Sequence, residues 1–265
     1  MELPEIGLGT WELTGREGRE VIRRAIDLGY RHLDTAQLYE NEREVGEAIA
    51  EADVPREELF VATKVHHRTM PAASYDAVLE AAADSLERLG LERLDLLYVH
   101  WPVAGYDPRE TLPAFDELVD EGVIDHVGLC NCTPAILDEA RDALDAPLFA
   151  HQVECHPLLP QAELRAYANE HDHHLVAYSP LANGELFGTP ELERVAEKRD
   201  VSVATVALAW LRSKGVASIP RTTSDAHLRE NLASREFELE PADVEAIDAI
   251  DRERRVIDPD VAPWN

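Results

Sequence analysis

Lys64 closes the apolar run Leu59-Phe60-Val61-Ala62-Thr63-Lys64-Val65, which reads as a buried strand. A charged side chain there is expensive unless it is paired. The chain holds 25 basic residues, and only Lys64, Lys198 and Lys214 among them are lysine. The latter two lie in polar helical stretches, where a solvated ammonium is unremarkable. Since arginine supplies positive charge elsewhere, a lysine kept in a strand points to chemistry that needs a compact, tunable ammonium. A structural, salt-bridged lysine is the alternative. Other polar and ionisable residues end further apolar runs: Asp34, His100, Cys130-Asn131, Gln152, Glu154, Tyr178 and Arg221. Each alone could be a cap or a loop hydrogen bond. Gathered at one end of a set of strands, they would form one acid–base and hydrogen-bonding site.

The elements that must position these residues alternate along the chain. Strands are expected at 6–10, 31–35, 59–65, 94–100, 124–130, 148–154, 174–179 and 216–220. Helices are expected at 16–28, 42–51, 74–89, 109–120, 134–144, 161–171, 203–212, 225–233 and 241–250. Thr133-Pro134 supplies an N-cap and first-turn signal, and Gly29, Gly90, Gly122 and Gly215 are candidates to end helices. Eight such alternations over one uninterrupted stretch predict a single-domain α/β fold, a (β/α)8 TIM barrel spanning residues 1–265. In that architecture catalytic groups sit at the C-terminal ends of the strands, where the residues above fall. An open doubly wound sheet is disfavoured because no Gly-x-Gly-x-x-Gly follows any strand; Gly7 and Gly9 are followed by Glu12 where the third glycine belongs.

Composition narrows the function classes. Fifty-three acidic residues against 25 basic ones give a net charge of −28. That field repels nucleic acid and anionic membrane surfaces. An acidic, lysine-poor surface suits molar salt, where the Debye length shrinks to about 3 Å, so a halophilic protein is expected. The first residues show no basic and apolar leader pattern, and no apolar run is long enough to span a bilayer. Three cysteines without a disulfide framework fit a reducing compartment, so the expected location is cytoplasmic.

Seven segments, in order, carry a resemblance: GYRHLDTAQLYENEREVG, VATKV, LDLLYVHWP, GLCN, HQVECHP, AYSPL and IPRTTSDAHLREN. The chain resembles the aldo-keto reductase superfamily over nearly its whole length, in particular its prokaryotic diketogluconate and methylglyoxal reductase-like branch. The resemblance implies a catalytic tetrad of Asp34, Tyr39, Lys64 and His100. It implies NADPH, with NADH as a further option, bound across the barrel mouth without a Rossmann domain. The reaction implied is reduction of small aldehydes, ketoaldehydes or keto-sugar acids by hydride transfer. Tyr39 would be the proton donor, with Lys64 lowering its pKa, Asp34 pairing Lys64 and His100 orienting the carbonyl. By the same resemblance Tyr178 stacks on the nicotinamide, and Asn131 and Gln152 bind its carboxamide, with Cys130 standing where the family usually has serine. Ser179, Leu181 and Asn183 fall near the pyrophosphate. Arg221 and Thr222 replace the usual lysine and serine toward a 2′-phosphate, His227 replaces an arginine, and Glu230 and Asn231 hold the adenine. Trp11 and Trp101 would wall the substrate pocket. The hairpin that plugs the barrel bottom in relatives is expected to be reduced, and the short tail VIDPDVAPWN to leave the pocket open.

Other clusters carry less. Cys130-x-Cys132, His66-His67, His151 with Cys155-His156, and His171 with His173-His174 lack zinc spacing, so no metal is expected. His171–His174 are instead expected to cap a helix end as imidazolium. Two readings compete with the reductase: a nicotinamide-binding barrel used as a sensor or structural protein, and a metal-dependent barrel hydrolase. The intact tetrad argues against the first. The second needs His-x-His at the end of the first strand, where Gly9-Thr10-Trp11 stands. A monomer is expected, with a small carbonyl compound as its partner.

Overall fold

The computed structural model describes residues 2–66, 74–103 and 105–265; His67 lies outside them. Eight parallel strands pair in sequence order: β1 Leu8–Gly9, β2 His32–Asp34, β3 Phe60–Val65, β4 Leu94–Val99, β5 Ile124–Cys130, β6 Leu148–Glu154, β7 His174–Tyr178 and β8 Val216–Ser218. The ladder closes on itself. Gly7 donates its N–H to the Ser218 carbonyl at 2.8 Å, and Ser218 donates to Glu5 at 2.9 Å. Helices cover the outer face: α1 Gly15–Leu28, α2 Glu42–Ala50, α3 Tyr75–Leu89, α4 Pro108–Asp120, α5 Pro134–Ala143, α6 Ala162–Glu170, α7 Pro190–Arg199, α8 Val203–Ser213, α9 Asp225–Ala233 and α10 Pro241–Asp248. This is the expected (β/α)8 barrel.

The period of two along each strand explains both the core and the site. Phe60, Ala62, Leu96, Tyr98, Cys130, Ala150, Val176 and Ile219 pack together inside the barrel. Their alternates, such as Val61, Leu97, Leu129 and Leu175, pack outward against the helices. Both faces are buried, so the strands read as nearly unbroken apolar runs. Continuing each inward series by two residues leads from the apolar floor to Lys64, His100, Gln152 and Tyr178. Gly128 makes room inside: a Cβ there would lie 2.3 Å from the Tyr98 ring.

Two local expectations change. α7 was not anticipated as an element of its own; it begins at Thr189-Pro190, and its polar sequence buries only Leu192, Val195 and Ala196. It shares the β7-to-β8 crossover with α8, so one connection carries two helices. The histidines after α6 do not act together as a charged cap. His171 packs on the Tyr167 ring at 4.2 Å, whereas His173 is buried and its pKa is lowered to about 4, chiefly by burial.

Candidate active site

The four residues of the expected tetrad converge at one barrel end. Asp34 ends β2 and Lys64 is the second-to-last residue of β3, one strand across. Lys64 is fully buried, ion-paired with Asp34 and hydrogen-bonded to the Thr35 carbonyl at 2.8 Å. Burial opposes its charge, yet the Asp34 carboxylate and Tyr39 outweigh that, and its pKa lies above the usual lysine value. The second Asp34 oxygen accepts a hydrogen bond from Gln152 Nε2 at 2.7 Å. Asp34 therefore holds two site residues, from β3 and β6, in fixed places.

Tyr39 stands on a short turn after β2, Gln37–Tyr39, which ends at Glu40 in the left-handed region with φ 55°. Buried side chains hold that turn. Gln37 donates to the Ala81 carbonyl of α3 at 2.7 Å and to Ser85 Oγ at 3.0 Å. Asn41 bridges three segments, accepting from Thr35 Oγ1 at 2.8 Å and donating to the Thr10 and Leu13 carbonyls at 2.7 and 3.0 Å. The Tyr39 ring lies 5.1 Å from the Lys64 ammonium and meets His100 edge-on at 5.7 Å. Burial raises the Tyr39 pKa and Lys64 works against it by charge and hydrogen bonding; the net direction is upward. Lys64 thus acts in the expected direction, lowering that pKa, but burial is the larger effect.

β5 is followed by Asn131, whose φ of 59° lies in the left-handed region that asparagine tolerates better than most residues. Its amide donates to the His100 carbonyl at 3.0 Å and accepts from the Tyr178 hydroxyl at 2.8 Å. One side chain thus ties the ends of β4, β5 and β7 together. Next to it, the Cys132 N–H donates to His151 Nε2 at 3.1 Å. Beyond β7, Ser179, Ala182 and Asn183 all take positive φ, 45°, 48° and 51°. Strained backbone clustered in one loop is a mark of a functional site.

A cavity of about 770 Å3 opens over this end of the barrel, within the range of small-molecule sites. Asp34, Tyr39, His100, Trp101, Asn131, Gln152 and Tyr178 line one part of it. Ser179, Leu181, Asn183, Arg221, Thr222, His227, Glu230 and Asn231 line the rest, and Trp11 stands exposed on the rim. Lys64 lies beneath the wall rather than in it. Cys130 is likewise off the wall: its thiol is buried in the barrel interior and its pKa pushed well up, chiefly by burial. Side-chain amides, an aromatic face and a basic group lie in one cleft, and this donor set suits a nicotinamide dinucleotide.

Some lining residues were not foreseen. Leu38, Phe187 and Glu12 come from loops without a distinctive pattern. Ile257 comes from the C-terminal tail, which is short but strapped down. The buried Glu154 carboxylate accepts the N–H groups of Val256 and Ile257 at 2.7 and 2.8 Å, and its third contact is His156 Nε2 at 3.0 Å. Glu154 ends a strand as expected, but it serves the tail and not the cavity. Further along, Trp264 packs on Trp101 at 5.8 Å, so the tail covers one side of the mouth. Arg221 is also not free for a ligand: it pairs with Glu12 and donates Nε–H to the Trp11 carbonyl at 3.0 Å.

A model of the Aldo/keto reductase family matches residues 5–252. The chain belongs to the aldo/keto reductase family. Among curated relatives, it is 39% identical to the glyoxal reductase of Bacillus subtilis over 258 residues, which cover 97% of this chain and 92% of that protein. It is 34% identical to the methylglyoxal reductase DkgB of Escherichia coli O157:H7, with both chains fully covered. Among solved structures, it superposes on MGS-M4, an aldo-keto reductase enzyme from a Medee basin deep-sea metagenome library, with a TM-score of 0.92 and 32% identity, covering 97% of this chain and 95% of that one. As a family member the protein is an NAD(P)H-dependent oxidoreductase that reduces carbonyl groups. No helix among the described residues is long and apolar enough to cross a membrane.

Proposed function

We propose that this aldo/keto reductase uses NADPH to reduce small aldehydes, ketoaldehydes or keto-sugar acids, with Tyr39 as the proton donor. The observation that carries this reading is the buried Lys64–Asp34 pair set beneath the Tyr39 ring, with His100 beside it, at the floor of the cavity. The bound nicotinamide supplies the hydride. Tyr39, kept protonated by burial, gives its hydroxyl proton to the carbonyl oxygen as negative charge develops there. Lys64 then stabilises the phenolate left behind; an ammonium buried 5.1 Å from the ring acts through a low-dielectric surrounding. Asp34 keeps Lys64 charged and in place, a positioning role. His100, edge-on to Tyr39, orients the carbonyl oxygen. Asn131 and Gln152 offer amide groups for the carboxamide, Tyr178 offers its ring, and Arg221, Thr222 and His227 form the phosphate end. Trp11 and Trp101, joined by Leu38 and Phe187, give the substrate an apolar, small-molecule-sized entrance. Relatives named for glyoxal and methylglyoxal support small dicarbonyl substrates.

The test is Tyr39→Phe. Single-turnover reduction of methylglyoxal, followed by loss of nicotinamide absorbance, should fall by at least about a thousandfold, within the range attributed to a positioned proton donor. NADPH affinity from fluorescence titration should stay within a few fold. Near-normal turnover in the variant would remove Tyr39 from the mechanism.

A further inference from the structure

The cavity mouth holds a contact that the reaction itself does not need. Glu12, on the loop after β1, is ion-paired with Arg221, on the loop after β8. Arg221 also donates to the Trp11 carbonyl, so its guanidinium is engaged twice by one loop. Both residues line the same cavity, at the end that holds Thr222 and His227. Glu12 takes a positive φ of 61°, a conformation disfavoured for glutamate. A carboxylate here occupies the donors that a phosphate would use, since both anions match the guanidinium fork in the same way.

We propose that Glu12 is a selectivity residue for the cofactor: its carboxylate competes with the 2′-phosphate for Arg221 and weakens the preference for NADPH over NADH. This rests on the cofactor reading given above. Any ligand carrying a 2′-phosphate must take the guanidinium from Glu12 and then lie near a displaced carboxylate. A ligand without that phosphate leaves the pair closed. His227 stands exposed at the start of α9, on the same side of the cavity. Both members of the Glu12–Arg221 pair are partly exposed, so salt screens the competition. In molar salt the penalty for the 2′-phosphate should therefore shrink.

Calorimetric titration with adenosine 2′,5′-bisphosphate and with 5′-ADP, which lacks the 2′-phosphate, tests this without turnover. In dilute buffer Glu12→Gln should tighten the bisphosphate about three- to tenfold, from a partly exposed ion pair and one removed like charge. Its 5′-ADP affinity should change less than twofold. The gain should fall by half or more in 1 M KCl and in an Arg221→Gln background. No gain with Glu12→Gln, a gain shared equally by 5′-ADP, or an undiminished gain without Arg221 would overturn the proposal. If the parent protein binds the bisphosphate well yet Glu12→Gln changes nothing, only this inference fails. If the parent binds neither nucleotide, the cofactor reading fails with it.

Discussion

Mild acid should destabilise this protein through three buried histidines. His32, His151 and His173 are all buried, and burial is the leading cause that lowers their pKa values to about 4, 3 and 4. For His151 the geometry gives a second reason: Nε2 accepts the Cys132 N–H at 3.1 Å, and a protonated ring would set donor against donor. In the unfolded chain each imidazole titrates near 6.5. Below that pH the unfolded state binds protons that the folded state refuses, so stability falls as pH falls, and goes on falling until the folded values near 3–4 are reached. From pH 7.5 to 5.5 a histidine with so low a folded pKa loses a little over ~1 kcal/mol of stabilisation, and three together about 4 kcal/mol. That is a large part of the 5–15 kcal/mol typical of a folded protein. Denaturant unfolding at pH 7.5, 6.5 and 5.5, at constant molar salt to hold surface repulsion down, would measure it. His151→Gln keeps an acceptor for Cys132 but cannot titrate, so its stability should drop about 1 kcal/mol less than the parent's over the same interval. A parent stability constant within about 1 kcal/mol from pH 7.5 to 5.5, or equal pH slopes in parent and variant, would refute the reasoning.

Lys64→Arg should be inactive in carbonyl reduction although it keeps the charge. The pocket under Tyr39 is fully buried and shaped by an ion pair and a 2.8 Å hydrogen bond to Thr35, and a guanidinium cannot occupy it without displacing its neighbours; steady-state turnover with methylglyoxal, beside a melt showing the variant folded, checks this. Stability should rise with salt, because a net charge of −28 concentrates on folding and screening relieves it. Thermal melts from dilute buffer to molar KCl should move upward, and a flat or falling Tm would mean that the acidic surface is not an adaptation to salt.

The alternation of buried strand and amphipathic helix was legible in the residues because a parallel barrel buries both faces of every strand. Strand ends could be read to within a few residues, and the polar groups that break the apolar runs marked the active rim. Asp34, Lys64 and His100 were legible for the same reason, since a lysine inside Phe60–Val65 has few explanations, whereas Tyr39 stands on a turn and was pointed to by the family resemblance alone. What the sequence could not assign was the partner of each group. Glu154 and Gln152 lie two apart on one strand, yet one carboxylate holds the tail and the other side chain holds Asp34. Nothing local distinguishes them; the partners come from residues 102 and 118 positions away. Arg221 read as free for a phosphate because Glu12, 209 residues distant, is its neighbour only once β8 closes on β1. The protonation of Tyr39 was likewise a tertiary matter. The residue types alone pointed to a phenol acidified by lysine, whereas the balance between that charge and desolvation depends on how deeply the folded barrel buries both groups.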